Sequence, residues 1–258
     1  DVERSRGLGD VYKRQLKFGA EVLSSVTCAR VKVSVVNKAG NQAEGWGETP
    51  LSVEWVWPSK KAYSVRHKTL IEFCKMIQTR WKNFGKFGHC IELGHYLIMK
   101  DLPNALHEFN LSKSFAAEPM PWLAALVCAS AFDLAIHDAY GVVNDVPVYQ
   151  AYGKEYLSTD LSIFLQPAKG SCVGFGSKYP SDFLNLKLPR KIAVWHLVGG
   201  LDPLDIEDLT GDEPEDDYPV HLREWINQDG LKCLKVKLRG NDSDSVSYTH
   251  LTLPTNRE

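Results

Sequence analysis

The chain runs to 258 residues, 44% hydrophobic and 24% charged, which excludes disordered, collagen-like and membrane-dominated compositions. Thirty basic against thirty-two acidic side chains leave a net charge of −2, so neither a nucleic-acid footprint nor a polybasic membrane-surface segment is present. Apolar stretches such as Leu123 to Ala131 fall short of the roughly 20 residues that span a bilayer, and no signal peptide opens the chain. Six dispersed cysteines without a CxxC pair fit free thiols in a reducing compartment. The expected class is α/β and the expected location the cytoplasm.

In chain order, Lys17-Phe18-Gly19 precedes a β-branched strand, Val31 to Val36. Asn37-Lys38-Ala39-Gly40 supplies turn residues, and Ala43 to Glu48 can pair back to make a hairpin. Thr49 to Pro58 reads as a Trp- and Pro-bearing loop. Leu70, Phe73, Ile77 and Trp81, spaced by three and four, predict an amphipathic helix over Ser64 to Trp81. A looser helical region covers Ile91 to Phe109, interrupted by Pro103. Trp122 to Val142 is the clearest helix, with Leu123, Leu126, Val127, Ser130, Leu134 and Ala135 expected as its buried stripe.

After Gly153 the pattern weakens into Gly-, Ser- and Pro-rich chain up to Pro189. Ile192 to Val198 then reads as a buried strand ending in Gly199-Gly200. Asp202 to Asp217 holds nine carboxylates and no basic residue; lacking calcium-loop spacing, it reads as a solvated loop. His221 to Gln228 is a short helix closed by Gly230, and Leu231 to Leu238 a second buried strand. Strand, helix, strand predicts a parallel βαβ unit with a right-handed crossover.

Chemistry is most visible in Lys235-Val236-Lys237. Alternation puts Lys235 and Lys237 on one strand face, about 7 Å apart at the backbone. Burial and mutual repulsion there would lower an amine pKa toward neutrality and make a general base. The competing expectation is an edge strand with a solvated lysine face. Other residues have plainer readings: Glu92 and His95 as a surface pair at i and i+3, and Asp133, His137 and Asp138 as packing and helix-end partners. His196 stands evenly between a substrate contact and a polar core residue. Gly174-Phe175-Gly176 lacks the helix of a phosphate loop, and no serine nucleophile elbow is present.

Both ends carry a resemblance of a different kind. Asp10 to Gln15 is what GAT GTG TAT AAG AGA CAG encodes, and Val246 to Leu251 is what GTC TCT TAT ACA CAT CTG encodes. The shared part of the two strings is one sequence and its reverse complement, and it resembles the transposon end used in sequencing-library adaptors, which Thr252 to Thr255 continues. Residues 1–15 and 246–258 are therefore expected to be adaptor-like and non-native. The natural protein would then be an internal fragment, of the sort an untrimmed metagenomic read yields.

Three stretches resemble the enolase superfamily, in its mandelate racemase and muconate lactonizing branch. Gly45-Trp46-Gly47-Glu48-Thr49-Pro50 is similar to its capping-domain hairpin. Ala131-Phe132-Asp133-Leu134-Ala135 with Val146-Pro147-Val148-Tyr149 is similar to the helix leading into its barrel. Gly230 through Lys237 is similar to its second barrel strand. The resemblance implies an α+β capping domain followed by the first strands of a TIM-like (β/α) barrel, truncated. The expected divisions are a capping domain at 16–153, truncated at its start, an insertion or linker at 154–190, and two barrel strands at 191–245. A complete barrel takes about 250 residues.

The implied activity is abstraction of the proton α to a small-molecule carboxylate, by an isomerase (racemase or epimerase) or a lyase, with Mg²⁺ stabilising the enediolate. Catalytic roles fall to Lys237 as base and Lys235 beside it. Substrate contacts fall to Lys17, Phe18 and Gly19 on a first mobile loop and to His196, with Thr49 to Pro58 as a second loop. The metal ligands are expected beyond the chain, so this fragment should neither bind Mg²⁺ tightly nor turn over substrate. It should also fold poorly, because an open pair of parallel strands exposes surfaces meant for neighbours. The parent is expected to be a homo-oligomer, with no nucleic-acid or membrane partner. Two alternatives are a Schiff-base lyase using Lys237, and a non-catalytic binding module with Trp46, Trp55 and Trp57 as an aromatic platform.

Overall fold

The computed structural model describes residues 16–18, 21–23, 26–113, 118–185, 187, 189–199, 202–213 and 218–236. It is a mixed α/β chain in two compact units, one of Arg14–Asn185 and one from Leu186 onward. No sheet closes among the described residues.

The first unit opens with short strands β1 (Leu16–Phe18) and β2 (Glu21–Leu23), paired antiparallel. A long hairpin follows, β3 (Cys28–Val36) and β4 (Gln42–Pro50), in register from Cys28 opposite Pro50 to Val36 opposite Gln42. Its turn is made by Asn37, whose Oδ1 accepts from the Ala39 and Asn41 amides, and by Gly40 at φ +85°.

Thr49 to Pro58 is not an open loop. It contains the single-turn α1 (Val53–Val56), and Leu51, Val53, Val56 and Trp57 sit in the core, Trp57 at 2% exposure. The buried Arg66 fixes this segment. Its guanidinium meets Glu54 at 2.5 Å and 3.0 Å and donates to Trp57 O at 2.6 Å.

Helix α2 (Tyr63–Lys82) buries Leu70, Phe73 and Ile77 as their spacing predicts, each contributing about 1.5–3 kcal/mol of transfer free energy. Phe73 meets Phe109 edge-on at 5.1 Å. The next region is continuous rather than interrupted: α3 (Cys90–Tyr96), a widened π-turn over Leu97–Asp101, and α4 (Leu102–Ser112). The Leu102 amide bonds Leu97 O, five residues back, which opens the turn just where the Pro103 ring would crowd a regular helix.

Helix α5 (Trp122–Val143) is the centre of the unit. By length and composition alone it could cross a bilayer, a test that buried core helices also pass. Of the expected stripe, Ala135 is buried and Leu126 and Val127 pack partly buried against the core, but Leu123 is 41% and Leu134 50% exposed. The rest of the buried side is Ala124, Ala125, Cys128, Ala131, Phe132 and Ala139. The hairpin explains this: a Cβ at Gly45 would lie 2.1 Å from Ala139 N, and one at Gly47 2.1 Å from Ala131 O. Only glycine on the strand and alanine on the helix allow that approach. Asp138, also on α5, accepts from the Trp46 amide at 2.8 Å and ties β4 to the helix.

Residues 154–185, most of the 154–190 segment expected as an insertion or linker, group with the first unit and dock on it through buried Leu157 and Leu161. Glu92 holds them, accepting from Ser158 Oγ at 2.5 Å and Thr159 Oγ1 at 3.0 Å while capping the His89 amide at 3.0 Å.

The second unit contains β5 (Trp195–Val198), α6 (Leu222–Asp229) and β6 (Cys233–Val236). β5 and β6 are parallel neighbours, with Trp195 opposite Cys233 and Val198 opposite Val236. The sequence expectation placed the first strand's start at Ile192, but Ile192 and Val194 are exposed and precede the ladder. Helix α6 begins at His221, whose Nδ1 accepts from Glu224 N, and ends at Gly230 with φ +62°.

Candidate functional site

Each strand of the second unit has one face under α6 and one away from it. Buried His196 and Val198 lie on the α6 side, with the His196 ring 5.3 Å from that of Trp225. Trp195, on the other face, is 65% exposed. Residues paired across a parallel ladder share a face, and Lys235 is paired with Leu197. Lys235 therefore projects on the face opposite His196. Of the two readings open for His196, its position is that of a core residue packed beneath a helix.

Lys235 itself is exposed, as is Val236 at 60%, so β6 is not the fully buried strand expected. The cause is visible in the sheet, which has only two strands among the described residues. The desolvation invoked to activate a lysine is therefore not supplied around Lys235 by the described residues. Lys237 and Gly19 lie outside the described residues. Lys17 and Phe18 are in β1 of the other unit, paired with Val22 and Glu21.

Several carboxylates of the 202–213 loop bond their own backbone, and Asp205 also pairs with Arg223 of α6 at 2.5 Å. Asp202 accepts from the Gly199 amide at 2.7 Å, Asp208 from the Leu204 amide at 2.9 Å, and Glu213 from Thr210 and Gly211. Among the described residues no group of three His, Cys, Asp or Glu side chains could hold a metal. Trp57 is buried, so an aromatic platform of Trp46, Trp55 and Trp57 does not exist, although Trp46 and Trp55 are exposed.

The sequence reading missed a polar cluster inside the first unit. His89 Nδ1 accepts from the Ile91 amide at 3.1 Å, which leaves Nε2 to donate to Ala151 O at 2.9 Å. That tautomer is neutral, and burial pushes the imidazole pKa below its ordinary value. His137 Nδ1 meets the Tyr152 hydroxyl at 2.6 Å, and its Nε2 lies 3.9 Å from Asp133 Oδ1. Burial raises Asp133 and Tyr152, and it pushes Tyr140 and the Cys90 thiol up to about 12. A cysteine held so far from its thiolate is no nucleophile. The cluster locks the chain around Ala151 and Tyr152 to α3 and α5. His89 lies 62 residues from Ala151 and His137 15 from Tyr152, so local spacing signals only the Asp133 and His137 pair.

No protein-family model, curated protein or solved structure matches this chain.

Proposed function

We propose that the chain is a fragment of a Mg²⁺-dependent enolase-superfamily enzyme, a racemase, epimerase or lyase that removes the proton α to a substrate carboxylate. The observation that carries the reading is the parallel β5–α6–β6 unit, with Lys235 on the sheet face that α6 leaves uncovered. In a closed (β/α) barrel helices cover the outside, so that face points inward and the strand's C-terminal end opens on the site. By sequence alternation alone, Lys237, which lies outside the described residues, would follow Lys235 on that face if the strand continued.

In this proposal Lys237 takes the substrate proton, and Lys235 holds the carboxylate by charge while disfavouring protonation of its neighbour. Closure of the remaining strands would supply the burial that two strands alone do not. Mg²⁺, held in the parent by residues outside those described, would stabilise the negative charge left on the carboxylate.

The experiment is α-proton exchange in the full-length parent. The uninterrupted gene is recovered by a long read across both adaptor-like junctions. The expressed protein is then incubated with Mg²⁺ and a panel of α-hydroxy and α-amino carboxylates in D₂O, and the α signal is followed by NMR. Exchange that disappears in Lys237→Ala supports the reading. Sodium borohydride trapping of a carbonyl substrate on Lys237 would replace it with the Schiff-base lyase. A gene that encodes both tails as written, with no exchange on any substrate, ends it.

A further inference from the structure

Helices α2 and α5 meet through a cysteine on each. Cys128 of α5 is fully buried, and its thiol donates to Leu70 O of α2 at 3.6 Å. Leu70 lies one turn before Cys74, and helix residues four apart share a face. Cys74 packs half-buried against the same core, with its side chain hydrogen-bonded to that of Cys128. Small neighbours allow the approach: Ala124 and Ala125, one turn before Cys128, hold no bulky side chain between the helices.

The two sulfurs are unequal. Cys128 is sealed in the core, whereas Cys74 also lines the groove between α2 and β3, where a small solute reaches it. The hydrogen bond from Cys128 favours a thiolate at Cys74 and lowers its pKa below the ordinary thiol value. The same contact, with burial, holds Cys128 well above that value. The reachable thiolate is the nucleophile of such a pair, and the enclosed thiol is the partner that responds.

We propose that Cys74 and Cys128 form a peroxide-responsive dithiol, in which Cys74 is oxidised first and Cys128 resolves it into a disulfide between α2 and α5. The Cys74 thiolate attacks one oxygen of hydrogen peroxide. The O–O bond breaks, Cys74 becomes a sulfenic acid, and the departing hydroxide takes a proton to leave as water. The Cys128 sulfur then bonds to the Cys74 sulfur, the S–O bond breaks, and the Cys128 proton departs with the hydroxyl as a second water. Two thiols lose two electrons and the peroxide gains them. A disulfide closes only between side chains already directed at each other, which the contact beside Leu70 O supplies. The inference goes beyond the enzymatic reading and uses none of its residues.

The test uses the 258-residue chain carrying Cys28→Ser and Cys172→Ser, which remove the exposed competing thiols. Reduced native protein is treated with a slight excess of hydrogen peroxide. Remaining thiols are then blocked with N-ethylmaleimide in urea, and tryptic peptides are mapped by mass spectrometry before and after dithiothreitol. Expected is one intramolecular Cys74–Cys128 peptide pair, released by the reductant and about tenfold or more above any other pairing, a preference that is lost when the oxidation is done in urea. Cys128→Ala should instead accumulate a sulfenic acid on Cys74, captured by dimedone, and Cys74→Ala should leave Cys128 unmodified. Several results overturn the proposal: Cys74 still fully alkylated after peroxide, a different dominant pairing, a sulfenic acid that persists on Cys74 with Cys128 present, or dimedone on Cys128 in Cys74→Ala. The peptide map keeps both core cysteines, so it decides the matter even if a variant of either fails to fold by circular dichroism.

Discussion

Replacing Gly47 by alanine tests the close approach between the hairpin and α5. The new Cβ would sit 2.1 Å from Ala131 O and 2.5 Å from Ala135 N, both backbone atoms of a helix that is itself packed on its far side. Ordinary contact begins near 3.4 Å, so strand and helix must separate by about 1.3 Å along the whole contact. That shift also loosens the Asp138 bond to Trp46 and the alanine packing on either side. Overpacking of this kind costs about 1–3 kcal/mol and more where backbone must move, so about 3 kcal/mol is expected. For a unit of this size that is a fall of about 6–12 °C in Tm, followed by far-UV circular dichroism and confirmed by urea unfolding with unchanged m. Gly174→Ala is the control, since nothing lies within 4 Å of its Cβ position; its effect should be within about 0.5 kcal/mol. A Gly47→Ala protein melting within about 2 °C of the parent would mean that the hairpin does not rest on α5 as described.

Arg66→Ala should cost about 3–5 kcal/mol in urea unfolding, because it leaves Glu54 enclosed without its partner, and the double change Arg66→Met, Glu54→Leu should recover much of that loss. Stability should fall as pH drops below the ordinary imidazole value of 6.5, because the unfolded chain binds a proton that the buried His89 refuses; the loss levels off below the folded-state pKa, and His89→Gln should flatten the profile between pH 7 and pH 5 in parallel denaturant titrations. Thiol labelling of the native protein should reach exposed Cys28 and Cys172 and spare Cys90 and Cys128 until the chain is unfolded; rapid native labelling of Cys90 would contradict a thiol raised to about 12 by burial.

Much of the local structure was legible because its signals are local. The three-and-four spacing of Leu70, Phe73 and Ile77 sufficed for α2, and the Asn37 to Gly40 turn between two strand-like runs sufficed for the hairpin. The buried face of α5 was only partly legible: Ala135, Leu126 and Val127 were placed on it, but so were Leu123 and Leu134, which hydrophobicity favours while the packing rewards small size. Gly45 and Gly47, some ninety residues earlier, decide which side of the helix a strand can touch. Trp57 looked like a loop aromatic until Arg66 closed over its carbonyl. Lys235 and His196 could each be placed on a face of its own strand, but only the register between strands shows that the faces are opposite. Residues 154–185 have no periodicity to read: they are fastened by isolated buried side chains, Leu157 and Leu161, and by the carboxylate of Glu92, far back in the chain.

The bond from the Trp46 amide to Asp138 has a further consequence for the hairpin. A carboxylate carried by a helix occupies a donor on the outer side of β4 that another strand would need. Growth of the sheet past β4 is thereby blocked by a side chain, while β3 carries no such stop among the described residues. The sheet has a direction: it can lengthen strand by strand on one side and not the other. Association through this sheet, whether useful or pathological, should then begin at β3, and replacing Asp138 by alanine would open a second front.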